Sequence, residues 1–289
     1  MKIKSIYIAL LVLLNGCSGD SPVQTSMVAL RLSATQTGIV TKGADSALPL
    51  GSVTGIYVTA KDAAIAASYF GNQKYTSGAS GALLTDASVS LTIGSSYDIY
   101  AYAPYQAGVI TPIAVEFPYG TDVLWAPKFT ISGVSESNNS ALLSFEHRAA
   151  QITFKVVFAD DFNEGPKEFT SSSAISVSGF YNKGLLDITT GMLTPSGVTN
   201  ITLSAFGKDT AGVITLGTDT TCFIPATGIM PLSVVVSHGG RVYNGVIKET
   251  FVSGHSYNYT VTISGQLATL GISGVMEQWI PVSDDLIVR

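Results

Sequence analysis

The sequence holds 2 cysteines and 3 histidines, the side chains best suited to nucleophilic and metal chemistry. His147, His238 and His255 are scattered, with no spacing that would hold zinc or another metal. His238 adjoins Gly239-Gly240 and His255 adjoins Gly254, so both read as turn residues, while His147 reads as a structural histidine near a strand bend. Cys222 has no histidine near it in sequence to activate its thiol and reads as a buried small hydrophobe. The acidic pairs Asp160-Asp161 and Asp284-Asp285 are adjacent, and neighbours on a strand point to opposite faces. No G-x-S-x-G, phosphate loop or H-E-x-x-H occurs. The reading is therefore of a protein that is not an enzyme and needs no cofactor and no metal.

Cys17 follows the nine-residue apolar run Ile6–Leu14, which is preceded by Lys2 and Lys4. A charged start and a short apolar core make a secretory signal, since a membrane span needs roughly 20 apolar residues. Leu14-Asn15-Gly16-Cys17 resembles the lipobox of bacterial lipoproteins, in which the thiol is acylated and the chain is cut before the cysteine. That resemblance makes residues 1–16 a lipoprotein signal peptide and Cys17 a lipidated, palmitate-bearing terminus held at the outer membrane. With one cysteine committed to lipid, no disulfide framework is available to an exported chain, and its core alone must hold the fold.

Without Lys2 and Lys4, 13 basic side chains face 20 acidic ones, a formal charge of −7. No Lys/Arg cluster exists to displace counterions, so nucleic acid is excluded as a partner. Hydrophobic residues make up 46% and charged ones 12%, with 29 glycines, a composition suited to β-structure. Alternation of period two runs from residue 28 onward, at Val28–Ala34, Thr54–Thr59, Ser88–Ile93, Tyr97–Ala103, Leu142–Phe145, Gln151–Phe158, Ala174–Val177, Asn200–Ala205, Leu232–Val236 and Tyr257–Ile263. Turn clusters separate these runs, among them Gly184-Leu-Leu-Asp-Ile-Thr-Thr-Gly191 and Ser237-His-Gly-Gly240. One short stretch, Lys61–Phe70, has a helical pattern, and the parity shift across His147–Ala150 predicts a β-bulge. Strands at this spacing, with no helix-length connections, predict an all-β protein of two tandem antiparallel β-sandwich domains. The polar loop 135–140 is the expected boundary, giving an N-terminal β-sandwich domain at 43–137 and a C-terminal one at 138–289.

Three stretches resemble the Mfa-like fimbrillins, the pilins of type V pili. They are Thr41-Lys42-Gly43 followed by Leu50-Gly-Ser-Val-Thr-Gly-Ile-Tyr-Val-Thr-Ala60; Asp98-Ile-Tyr-Ala-Tyr-Ala-Pro-Tyr105; and Thr121-Asp-Val-Leu-Trp-Ala126, with Leu143-Ser-Phe-Glu-His147 running on into Ala150–Val156. A late tryptophan, Trp279, completes the pattern, while the family's usual Arg and Asp are here Lys42 and Ser52. The resemblance implies transthyretin-like sandwiches and a structural and adhesive subunit of cell-surface fimbriae. It also implies partners: other fimbrial subunits, the outer membrane through a lipid anchor, a trypsin-like processing protease, and a host or glycan receptor. Members lose an N-terminal strand to that protease and polymerise when a C-terminal strand of one subunit fills the groove left in another. The pro-segment is then 17–42, cut at Lys42, which sits in the small polar stretch Thr41–Ser46; Arg31 is the runner-up, inside a strand pattern. Val28, Leu30, Leu32 and Ala34 are the groove-filling row, and Ile280, Val282, Leu286 and Val288 the matching donor row in the tail 279–289. Slack for that tail is expected in Gly271-Ile-Ser-Gly274, after a last strand at Tyr257–Ile263. A strand row of about four such side chains contributes on the order of 6–10 kcal/mol on burial, before ordering entropy is subtracted.

The rival reading is a surface-exposed glycan-binding lipoprotein, which would use exposed aromatics. Tyr100 and Tyr102 share one face of their strand with Asp98 and are its candidates, along with Trp125 and Trp279; the alternative is that one strand face packs against a second sheet and the tyrosines sit at its margin with their hydroxyls wet.

Overall fold

The computed structural model describes residues 26–36, 46–108, 112–165, 167, 173–203, 207–208, 214–215, 221–265 and 270–278. The first half contributes β1 (Met27–Ala29), β2 (Arg31–Gln36), β3 (Ser46–Ala47), β4 (Val53–Ala60), β5 (Phe70–Ser77), β6 (Ala82–Leu84), β7 (Ser90–Thr92), β8 (Tyr97–Ala103), β9 (Val115–Pro118), β10 (Leu124–Ile131) and β11 (Ser140–His147). The second contributes β12 (Ala150–Phe158), β13 (Ala174–Asp187), β14 (Met192–Leu203), β15 (Gly207–Lys208), β16 (Ile214–Thr215), β17 (Thr221–Phe223), β18 (Ile229–His238), β19 (Arg241–Thr250), β20 (His255–Ile263) and β21 (Leu270–Gln278). The protein is all-β, and the helical pattern at Lys61–Phe70 condenses to one 3-10 turn at Ile65–Ala67. Within the described residues no helix is long and apolar enough to cross a membrane.

In the first half the strands follow the order β11-β10-β8-β4-β5-β6-β2, and β2 then pairs with β11, so the sheet closes on itself. Closure removes the free edges an open sheet would expose. Leu32, Ala34, Ile56, Val58, Ile99, Ala101, Leu143 and Phe145 fill the interior. In the second half two sheets share one core: β12 and β20 contribute Phe154, Val156, Tyr257 and Val261, while β13 and β18 contribute Val177, Phe180, Leu232 and Val234. Parallel pairing occurs twice among the described strands, at β2–β11 and at β12–β20.

Several sequence expectations are corrected. The loop 135–140 joins β10 to β11, neighbours in the first sheet, and the change of sheet falls at 148–149 between β11 and β12. The parity shift there is a crossover from one sheet to another, not a bulge within one strand. Gly184–Asp187 continues β13, which leaves only the end of that cluster, around Gly191, to turn. Gly271–Gly274 belongs to β21, paired along its length with β20, so this stretch provides no slack and Tyr257–Ile263 is not the last strand.

A third cluster joins the halves. Tyr57, Tyr100, Tyr102 and Trp125 from the outer face of the first sheet pack against Phe117, Leu186, Ile188, Leu193 and Ile224. β9 lies before β10 in sequence yet pairs with β13 of the second half, from Lys183↔Pro118 to Leu186↔Val115. Trp125 Nε1 donates to the Ile188 carbonyl at 2.6 Å, and the Arg148 guanidinium stands 4.3 Å from the indole centroid. Gly191 has φ +72°, and a Cβ there would lie 2.5 Å from the Trp125 ring, so glycine is needed for both backbone and space. Trp125→Ala is expected to cost about 3–5 kcal/mol, and Gly191→Ala about 1–3 kcal/mol, in urea unfolding of the full chain.

Candidate functional site

The site expected from sequence is the N-terminal strand and its groove. Alternation along β2 buries Leu32, Ala34 and Gln36 on one face and leaves Arg31 exposed at its start. Val28 and Leu30 pack on the same core while remaining partly open. Main-chain pairing holds the strand on both sides: parallel to β11 from Arg31↔Ser140 to Phe145↔Gln36, and antiparallel to β6 at Leu32↔Leu83 and Ser33↔Ala82. Further bonds hold its flanks, with Leu30 N donating to Val89 O at 2.8 Å and Arg31 N to Asn139 O at 2.9 Å. The buried Asn139 amide in turn donates to Ala29 O at 2.9 Å. Gly81, at φ +75°, lets β2 come close, because a Cβ there would lie 2.3 Å from Ala34 O.

The far end of the row is polar. Gln36 Nε2 lies 2.8 Å from His147 Nε2, and His147 Nδ1 lies 2.7 Å from Asp122 Oδ1. The Asp122 carboxylate accepts, so Nδ1 carries the proton and Nε2 accepts from the Gln36 amide. Gln36 and His147 are both buried, while Asp122 reaches solvent. The sequence marked His147 as structural and contained no signal for its partners. Gln36 is 111 positions away, and alternation reports a face, not what stands across it.

The other sequence candidates fall elsewhere. Cys17, Lys42, Trp279 and the donor row Ile280, Val282, Leu286 and Val288 lie outside the described residues. Cys222 is buried, and burial, with the Asp122 carboxylate secondary, pushes its thiol up to about 12, which leaves it inert near neutrality. His238 is packed against the Phe158 and Phe162 rings with Ser173 Oγ 2.8 Å from its Nδ1, and His255 Nδ1 donates to Ser253 O at 3.0 Å. The described residues contain no metal-ligand cluster.

The aromatic strand proves to be buried on both faces. Ile99, Ala101 and Ala103 point into the first core, and Tyr100 and Tyr102 into the junction, with Trp125 beside them. The tyrosines are thus not at a wet margin and form no platform for a sugar. The Tyr102 hydroxyl is satisfied internally, donating to Asn72 Oδ1 at 2.8 Å and accepting from Gln106 N at 3.2 Å. Desolvation, aided by Tyr105, pushes the Tyr57 phenol up to about 12. Asp98 is the buried charge of this strand. Burial raises its pKa, but donors from Thr130 Oγ1 at 2.6 Å, Asp62 N at 2.9 Å and Lys128 Nζ at 3.1 Å outweigh that and hold the carboxyl below its ordinary value.

Comparison with known proteins identifies the family to which this fold belongs. Residues 41–279 match the family model described as fimbrillin-like, and the chain belongs to that family. No curated protein matches the sequence. Among solved structures, a candidate cell adhesion protein from Bacteroides ovatus is similar at 19% identity and TM-score 0.69, over 89% of this chain and 100% of that one. One from Bacteroides uniformis gives 19% and 0.65 over 88% and 99%, and one from Parabacteroides distasonis 10% and 0.52 over 88% and 98%. At these identities the likeness shows a shared fold.

Because the folded Asp98 carboxyl titrates below its unfolded value of about 3.9, its contribution is complete above that value and drains as pH falls through the folded one. Asp98→Asn is expected to cost about 1–3 kcal/mol at neutral pH. It should also flatten the loss of stability below about pH 4, as followed by chemical denaturation across a pH series.

Proposed function

We propose that this protein is a structural and adhesive subunit of cell-surface fimbriae that assembles by strand exchange. The observation that carries this reading is the parallel pairing of β2 with β11. The strand that closes the first sheet comes from the N-terminal half, no hairpin ties it to β11, and Lys42 follows it in the sequence. Removing it would leave the main-chain groups of β11 and β6 unpaired above an apolar trough, the state that a strand from another chain satisfies. Family membership places the protein among fimbrillin-like chains, and three similar folds are candidate cell adhesion proteins. In this reading the two halves are tandem transthyretin-like sandwiches, one of them closed by β2. The chain is exported on the signal 1–16, lipidated at Cys17 and carried to the outer membrane. A trypsin-like protease then cuts after Lys42, releasing 17–42 with the row Val28, Leu30, Leu32 and Ala34. The tail 279–289 serves as donor strand to the next subunit. Arg31 is the poorer protease site, since its backbone is held in the closing pairing. The described aromatics on which the glycan reading relied, Tyr100, Tyr102 and Trp125, are buried at the junction.

Mass spectrometry of the protein from its native cell is expected to find a mature chain starting at Gly43 and a precursor starting at acylated Cys17. A mature chain starting at Leu32, or one still carrying 18–42, contradicts the Lys42 assignment. Deleting residues 280–289 is expected to leave a monomer of unchanged thermal stability that fails to enter fibres after Lys42 cleavage. A drop in monomer stability would instead make the tail part of its own domain.

A further inference from the structure

We infer that the chain Gln36–His147–Asp122 is a register and specificity lock. The strand that fills this groove must bring a hydrogen-bond donor, best a carboxamide, two residues beyond the small apolar residue at the Ala34 position. The inference rests on the strand-exchange reading and adds the chemistry of the partner strand.

The argument begins with what the groove can read. The bonds from β11, β6, Val89 and Asn139 are made to main chain, so they hold any strand that adopts the same path. The interior beside Leu32 and Ala34 is apolar and selects for burial alone. Apolar alternation fixes which face points inward, because a slip of one residue turns the apolar row outward. It does not resist a slip of two, which keeps the parity and every main-chain bond type. Two inward positions detect such a slip, Ala34 by its small size and Gln36 by its different chemistry, and Gln36 does so through a hydrogen bond.

The detector is well posed. Asp122 accepts from His147 Nδ1 at 2.7 Å, which orients the ring and directs Nε2 at the strand as an acceptor. The Gln36 amide meets it at 2.8 Å, and both side chains are buried. A strand displaced by two residues would present an apolar side chain to Nε2 and carry its amide away. An incoming strand with leucine at this position would set an apolar side chain where Nε2 meets the Gln36 amide, whereas one with glutamine or asparagine completes the chain to Asp122. The partner is therefore a β-strand of a different kind of subunit, patterned apolar, any, small apolar, any, carboxamide; the tail 279–289 of this chain holds no asparagine or glutamine, so a second copy of the chain does not complete the lock.

The test uses the full chain with a specific protease site placed between residues 37 and 45. It is cut while folded and incubated with excess synthetic peptide spanning residues 26–41, and exchange is read by native mass spectrometry. The wild-type peptide is expected to replace the resident strand, and a Gln36→Leu peptide to bind about ten- to a hundredfold more weakly. In His147→Leu protein the preference should vanish or reverse. Equal binding of the two peptides by wild-type protein overturns the lock and leaves strand exchange standing. Failure of every peptide to exchange overturns strand exchange, and the lock with it. If His147→Leu does not fold, the wild-type comparison still decides, and a Leu32→Ser peptide separates loss of apolar burial from loss of the lock. The serine peptide should bind more weakly to wild-type protein and to Asp122→Asn protein alike, whereas the penalty for Gln36→Leu should shrink in Asp122→Asn.

Discussion

The main-chain pairing of β2 with β11 is the constraint on which the first half depends. Remove it and the ring of strands becomes an open sheet with two unpaired edges, at β11 and β6. Each edge then carries unsatisfied N–H and C=O groups beside a core that has lost Leu32 and Ala34. The same pairing joins positions more than a hundred residues apart, so chain connectivity does not enforce it. The strand is held by its hydrogen bonds and burial and tied by no tight turn to β11, the property on which the proposed strand exchange rests.

The second half is joined to the first by contacts that do not involve β2. Strands β4, β8 and β10 face two cores at once, presenting Ile56, Val58, Ile99, Ala101 and Ala126 inward and Tyr57, Tyr100, Tyr102 and Trp125 outward to the junction. These middle strands lie away from the closing seam, so the junction does not rely on β2. The Trp125–Ile188 hydrogen bond, Arg148 over the indole, and β9 on β13 add polar and main-chain links to that apolar contact. Opening the seam can therefore expose a groove without separating the halves. The Cys222 thiol is buried and inert near neutrality, and the Tyr102 hydroxyl is bonded internally, so both belong to the packing of the scaffold.

Much of this was legible in the residues. Alternation marked β2 and its buried face, because side chains on a strand have a period of two and each face meets one environment. It misjudged β8, where Tyr100 and Tyr102 looked like a margin, since burial on both faces depends on what covers the sheet and no strand carries that information in its own pattern. Gly184–Asp187 and Gly271–Gly274 looked like turn and slack because glycine and small polar residues punctuate chains, yet pairing with β14 and β20 makes them strand.

The sequence by itself determined the all-β class, the inward row Leu32-Ala34, and through three dispersed motifs the resemblance to fimbrillins. These depend on residue type and local spacing. Tertiary structure alone decided that β2 runs parallel to β11 and closes a ring, that β9 crosses to the other half, and that Gln36, His147 and Asp122 form one hydrogen-bonded chain. The physical reason is common to all three. Strand order and cross-strand partners are set by competition among every edge in the folded chain, and a pattern with a period of two is the same for each of them.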